Sequence, residues 1–171
     1  VTSDGTEHPL DVLIFGTGFT TTEFLAPIEV TGRHGKKLSD VWESGARAFL
    51  GLAVPEFPNL FLLYGPNTNL GHNSILFMIE QQVQHIVGLL QRMVVERIEA
   101  VEPSAAAMEN FDSFIEGATA RTVWAEDCSS WYKNASGRVT NNWPAPTVSY
   151  RRLLKRGHSA EWLTSTLRSD P

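Results

Sequence analysis

The chain has 171 residues, 42% of them hydrophobic and 19% charged, with a formal net charge of −5. This size and apolar content suit one domain with a packed core. The 14 basic residues are scattered, which excludes the array of phosphate contacts on which a nucleic-acid interface rests. Only YRRLLKR, residues 150–156, is locally basic, and it reads as solvated surface.

No apolar run approaches the ~18 residues of a membrane span, and the N-terminus lacks a basic-then-apolar signal pattern. The single cysteine, Cys128, allows no internal disulfide and fits a reducing compartment, so a cytoplasmic location is expected. Cys128 reads as a structural or partly buried thiol. The five histidines, His8, His34, His72, His85 and His158, are dispersed without an H-x-x-x-H pair. No metal site is expected.

In chain order, Thr2-Ser3-Asp4-Gly5 is a turn signal. One arm of the hairpin runs from Thr6 into the next strand. The other arm requires residues ahead of Val1, so the chain is expected to be a fragment of a longer polypeptide. DVLIFG, residues 11–16, predicts a buried strand that ends on Gly16-Thr17-Gly18. A dinucleotide fingerprint needs G-x-G-x-x-G, and here the third glycine is Thr21. The acidic residue at the right distance, Asp40, does not sit in a strand pattern. The motif is therefore incomplete as a nucleotide cradle.

Residues 28–56 read as irregular, interrupted by Gly32, Gly35, Gly45, Gly51 and Pro55. NLFLLYGP, residues 59–66, predicts a second short strand. Strands at Asp11–Phe15 and Leu60–Tyr64 are expected in one sheet, with a long helix over 74–95 packed on it. Ile75, Ile79, Val83, Ile86, Leu90 and Met93 carry that helix at 3.6-residue spacing, with Asn73 or Ser74 as N-cap. A short strand is expected over 97–103. A helix over 104–122 should bury Ala107, Met108, Phe111, Ile115 and Ala118. The remainder is rich in turns and aromatics, with a last short helix near Ala160–Leu167. The order is that of an α/β fold, with too few strands to complete a doubly wound sheet.

Five segments, taken in order, carry a resemblance. DVLIFGTGF (11–19) resembles the aTGF/aTGY segment of flavin-dependent monooxygenases. TGRHGKKLSDVW (31–42), FLGLAVPEFPNLFLLYGPNTNLGHNS (49–74), IEQQVQHI (79–86) and CSSWYKNASGRVTNNWP (128–144) agree with it. Together they resemble the C-terminal portion of a Baeyer–Villiger monooxygenase of the acetophenone type, over nearly all of residues 4–155. The resemblance implies an incomplete, Rossmann-like FAD-binding portion of a flavoprotein with two dinucleotide-binding domains. Residues 1–103 would be that portion and 104–171 a helical and irregular C-terminal extension. Gly16–Phe19 would be where the chain returns from the NADP domain into the FAD domain.

The implied cofactors are FAD and NADP. The implied substrates are O2 and a ketone, converted to an ester or lactone by insertion of one oxygen atom. The ketone-oxidation signature F-x-G-x-x-x-H-x-x-x-W-P is not matched: Trp143-Pro144 lacks the Phe, Gly and His ahead of it. Amine or sulfide oxygenation therefore stays open, as does a non-enzymatic α/β interaction module. The expected cofactor-binding residues are Gly18, Phe19, Asn69, Gly71, His72, Asn73, Ser74, Ile75 and Trp131; no catalytic residue is assigned. The N-terminus of the 74–95 helix would face the negative edge of reduced flavin. Asn73 or Ser74 could equally be a plain helix cap, His72 a solvent-exposed loop residue, and Trp131 part of a small aromatic core. The fragment alone is expected to be inactive and to self-associate, with no nucleic-acid or membrane partner.

Overall fold

A computed structural model of the chain describes residues 2–16, 21–71, 73–125, 132–134, 136–156 and 160–166. Its elements are α1 (Leu38–Val41), α2 (Ile75–Glu96), β1 (Ile98–Pro103), α3 (Ala105–Thr119), α4 (Thr147–Lys155) and β2 (Trp162–Thr166), with 3-10 turns at Arg33–Gly35 and Val123–Ala125. None of the described helices is long and apolar enough to cross a membrane.

The two long helices form where local signals demand them. Ser74, in extended backbone, caps α2 by accepting the Phe77 N–H at 3.4 Å. Arg97 ends that helix in the left-handed region, φ 54°, and its N–H reaches the Met93 carbonyl. Ser104 caps α3 in the same way, accepting from Ala107 N–H at 3.1 Å. The expected apolar face of α3 is buried as its spacing requires: Ala107, Met108, Phe111, Ile115 and Ala118.

The sheet differs from the expectation. It is an antiparallel pair, β1 with β2, in register from Pro103↔Trp162 to Ile98↔Thr166 and with one irregularity between Ile98 and Ala100. A parallel Rossmann sheet is not seen among the described residues. Residues 11–16 carry no strand, and Val12 and Ile14 are 73% and 87% exposed. An apolar run becomes a strand only through ladder bonds to a neighbour, and no described segment supplies one. Leu60–Tyr64 is not a strand either. Asn59 and Tyr64 sit at φ 60° and 56°, which turns the backbone out of an extended path at both ends. The two runs therefore do not share a sheet.

The C-terminal expectations also change. The helix expected near Ala160–Leu167 is β2. Thr164 and Thr166 are β-branched, and pairing with β1 overrides the weak helical pattern. The helix instead is α4, which was not foreseen. It starts after Pro146 and buries Thr147, Tyr150 and Leu154 at i, i+3 and i+7.

The main core gathers Phe49, Leu50, Leu52, Met78, Val101, Phe111, Ile115, Trp143, Tyr150 and Trp162. A smaller cluster of Leu38, Ala48, Val54, Phe57 and Leu62 lies beside it. Trp162 stands edge-on to Phe49 at 5.8 Å, which brings β2 onto the turn at 48–53. That turn is wholly buried, and it supports the loop described next.

Candidate cofactor site

The loop from Tyr64 to Asn73 leads into the N-terminus of α2. Its backbone is held on one flank by residues 139–143. Asn67 N–H donates to the Thr140 carbonyl at 2.8 Å and Asn69 N–H to the Asn141 carbonyl at 2.9 Å. Trp143 N–H returns a bond to the Asn69 carbonyl at 2.8 Å. The side chain of Asn67, buried, donates to the carbonyls of Val139 and Asn142. Each of these backbone groups would cost free energy if left unpaired away from water, so the two segments hold one another in a single register.

On the other flank lies the buried turn at 48–53. Gly51 has φ +66°, and a Cβ there would collide with Thr68 Cγ2 and stand 2.9 Å from the Pro66 carbonyl oxygen. A Cβ on Gly65 would collide with the Gly51 carbonyl. The two backbones can touch only because both residues are glycine. Thr68 Oγ1 closes the loop from within by donating to the Gly65 carbonyl at 2.7 Å.

A third anchor is a chain of buried polar groups. Tyr64 N–H donates to Gln82 Oε1 at 3.0 Å, Gln82 Nε2 donates to Tyr150 Oη at 2.9 Å, and Tyr150 O–H donates to the Leu50 carbonyl at 2.6 Å. Burial pushes the Tyr150 phenol well above the usual tyrosine range, so it acts as a neutral donor. Burial also raises the Tyr64 phenol, whose O–H donates to Asn69 Oδ1 at 2.6 Å.

Of the residues expected to bind a cofactor, Asn69, Gly71, Asn73, Ser74 and Ile75 are brought together here. Gly18, Phe19, His72 and Trp131 lie outside the described residues. The Asn69 amide already serves the fold: besides the Tyr64 bond, its Nδ2 donates to Asn142 Oδ1 at 2.8 Å. Asn73 Oδ1 accepts the Ser74 N–H at 2.7 Å, and its Nδ2 donates to Thr147 Oγ1 at 3.1 Å. Ser74 accepts from Phe77. The N–H groups of Ile75 and Leu76, at the positive end of α2, have no acceptor among the described residues.

A cavity of about 340 Å³ lies against this loop, lined by Tyr64, Gly65 and Asn69 together with Asn141 and with Thr21, Glu23 and Phe24. It joins the segment that follows Gly16–Phe19 to the loop ahead of α2. Residues 21–24 and the glycine-bearing loop ahead of α2 thus border one space. Gly71 is exposed, and a Cβ there would meet nothing within 4 Å, so neither backbone nor packing among the described residues demands a glycine.

Sequence reasoning missed Gln82, Tyr150, Asn67 and Asn142. A signal existed for Gln82: it falls on the buried face of α2, at i+4 from Met78, where an unpartnered amide would be costly. No local signal marks Asn67 and Asn142, whose partners lie more than seventy residues away in sequence.

No family model matches the chain. An FAD-binding monooxygenase of Aspergillus niger, ktnD, is 35% identical over 168 residues, covering 95% of this chain and 28% of that protein. A Baeyer-Villiger monooxygenase of Pseudomonas aeruginosa is 38% identical over 169 residues, covering 97% of this chain and 32% of that protein. The chain is related to the flavin-dependent monooxygenases. Among solved structures, cyclohexanone monooxygenase from Rhodococcus sp. Phi1, bound to NADP+, superposes with a TM-score of 0.81 at 26% identity. The match covers 98% of this chain and 32% of that one. The chain thus spans about a third of the length of the flavin-dependent monooxygenases it matches.

The residues present fit a flavin. A Cβ on Gly71 would meet no described atom within 4 Å, and the end of α2 offers N–H donors and positive potential that would suit an anionic edge. The cavity bordered by Tyr64 and Asn69 lies against the same loop.

Proposed function

We propose that this chain is the C-terminal portion of an FAD- and NADP-dependent monooxygenase, and that the whole enzyme inserts one oxygen atom from O2 into a ketone to give an ester or lactone. Residues 1–103 complete the FAD-binding domain and 104–171 form its C-terminal extension. The observation that carries the reading is the capped N-terminus of α2, set behind a glycine loop whose backbone is fixed on both flanks. The relatives support it: one bears FAD-binding in its name, one is a Baeyer-Villiger monooxygenase, and a similar structure holds NADP+.

Bound FAD, reduced by NADPH, would supply the activation of O2. The chain's part is to hold and to tune. The Ile75 and Leu76 N–H groups would stabilise negative charge on the pyrimidine edge of the reduced ring. Gly71 and the neighbouring Asn69 would let backbone and amide approach the ring. Gly18 and Phe19 would border it from the other glycine stretch. His72 would donate a hydrogen bond at the loop end, and Trp131 would hold the nicotinamide ribose with its indole N–H. The deciding assay for the reaction class incubates the full flavoprotein with NADPH, O2 and a panel of ketones, amines and sulfides. Ester or lactone carrying one ¹⁸O from ¹⁸O2 is expected; N-oxide or sulfoxide as the sole product would overturn the ketone assignment.

The flavin contact has its own test. Ile75→Pro places proline at the first helical position, where it is tolerated, behind a Ser74 that is already extended at ψ 119°. It removes one N–H. A hydrogen bond to a charged acceptor contributes about 1.5–3 kcal/mol. The two-electron midpoint potential of bound FAD is therefore expected to fall by about 30–60 mV. An unchanged potential in a folded, FAD-loaded variant would remove α2 from the flavin site.

A polypeptide of these 171 residues alone contains no complete G-x-G-x-x-G. It is expected to purify colourless and to leave NADPH unoxidised. Val12–Phe15 are exposed, as is a stripe of Leu76, Val83, Val87, Leu90 and Val94 along α2. Apolar surface of this extent drives association. Sedimentation velocity should show oligomers that shift toward monomer when Val87 and Leu90 are both replaced by lysine. A yellow, monomeric preparation would contradict both expectations.

A further inference from the structure

We propose that Gln82 is the positioning residue of the site, setting where the first N–H groups of α2 stand by pinning the start of the loop that leads into them. The proposal rests on the flavin reading above. Gln82 is fully buried, two turns into α2. An apolar side chain would satisfy that face of the helix with no desolvation cost, yet the position holds an amide with both ends used. Its Oε1 takes the Tyr64 N–H and its Nε2 bonds to the Tyr150 hydroxyl. The loop therefore begins on the side chain of residue 82 and ends where the same helix begins. Seven residues of helix, roughly 10 Å at 1.5 Å each, separate the two anchor points and fix the span that the loop must close.

The second arm of the amide acts from below. Tyr150 donates to the Leu50 carbonyl, in the turn whose Gly51 backbone presses on Gly65 and Thr68. Gln82 thus ties three elements to the first third of the loop: α2 by its own backbone, α4 through Tyr150, and the buried turn through Leu50. The middle third is held by residues 139–143. The last third, where Gly71, Asn73 and Ser74 are exposed, is the part left to meet a ligand, and its position follows from the other two. Releasing the amide lets the loop shift relative to the helix end without removing any group that touches the flavin.

The test compares Gln82→Met, Tyr150→Phe, Val101→Ala and Ile75→Pro in the full-length, FAD-loaded flavoprotein, by redox titration together with thermal unfolding. Gln82→Met cuts both arms at nearly constant length. It is expected to lower the ratio of affinities for reduced over oxidised FAD about tenfold, equal to about 30 mV in midpoint potential. Tyr150→Phe removes the bonds to Gln82 Nε2 and to the Leu50 carbonyl, leaves the Tyr64 arm intact, and should shift the ratio in the same direction by about threefold. It also serves if Gln82→Met does not fold. Val101→Ala opens the core at β1, outside the Tyr64–Gln82–Tyr150–Leu50 chain of bonds, and should lower the unfolding temperature with no change in potential. A potential unchanged by the Gln82 or Tyr150 variant but lowered by Ile75→Pro would overturn the positioning role and leave the flavin reading standing. A potential unchanged in all of them would overturn both.

Discussion

Trp143→Ala is expected to destabilise the protein by about 3–5 kcal/mol, the range for removing a buried aromatic side chain. Trp143 is only 1% exposed. Its ring meets Tyr150 edge-on at 5.0 Å and stands 5.9 Å from Phe114, so it joins α4 to α3. Its backbone N–H closes the register between residues 139–143 and the loop, and its indole N–H donates to the Pro146 carbonyl at 3.3 Å. The alanine variant keeps the first of these bonds and loses the rest. Chemical denaturation measures the loss. Val123→Ala, at a position 70% exposed, is the control and should stay within about 0.5 kcal/mol of the parent. A Trp143 variant as stable as the control would mean that the indole does not join α3 to α4 in the folded core.

Gly51→Ala should cost about 2–5 kcal/mol, from two sources. Alanine at φ +66° pays about 1–2 kcal/mol for the left-handed conformation. Its Cβ then collides with Thr68 Cγ2 and crowds the Pro66 carbonyl, and overpacking of a tight core costs a further 1–3 kcal/mol or so. The sources separate in a double-mutant cycle. Thr68→Ser deletes the methyl that collides and keeps the hydroxyl that donates to the Gly65 carbonyl. Combined with Gly51→Ala it should recover about 1–2 kcal/mol, a coupling energy of the size seen between touching residues. The conformational part should persist. Strict additivity of the two changes would show that Gly51 does not press on Thr68.

Parts of this arrangement were legible in the sequence. The span of α2 was readable to within a residue or two because Ser74 caps it locally and its apolar residues recur at helical spacing. The same holds for α3, where Ser104 caps and five predicted core residues are buried. The cap signal also placed the start of α2 at Asn73 or Ser74, and Ser74 is the cap. The zipper between Asn67, Asn69 and residues 139–143 was not readable, since one polar side chain in a loop looks like another until its distant partner is known. The run Val12–Phe15 misled for a related reason: apolar composition states what would gain from burial, not whether a neighbour is there to bury it.

What the sequence by itself determined are the features set by interactions within one or two helical turns: both long helices and the N-cap of α2. Each arises from dihedral preference and from hydrogen bonds between residues three or four apart, which the order of residues states outright. Only the tertiary structure decided that Trp162–Thr166 is a strand against β1 rather than a helix, that Tyr150 and Gln82 face one another inside the core, and that residues 21–24 border one cavity with the loop ahead of α2. Those outcomes depend on partners about sixty to seventy residues apart or, for the cavity, on segments about forty or more apart. At such separations burial and pairing outweigh local propensity, and the sequence names the partners only after the chain has folded.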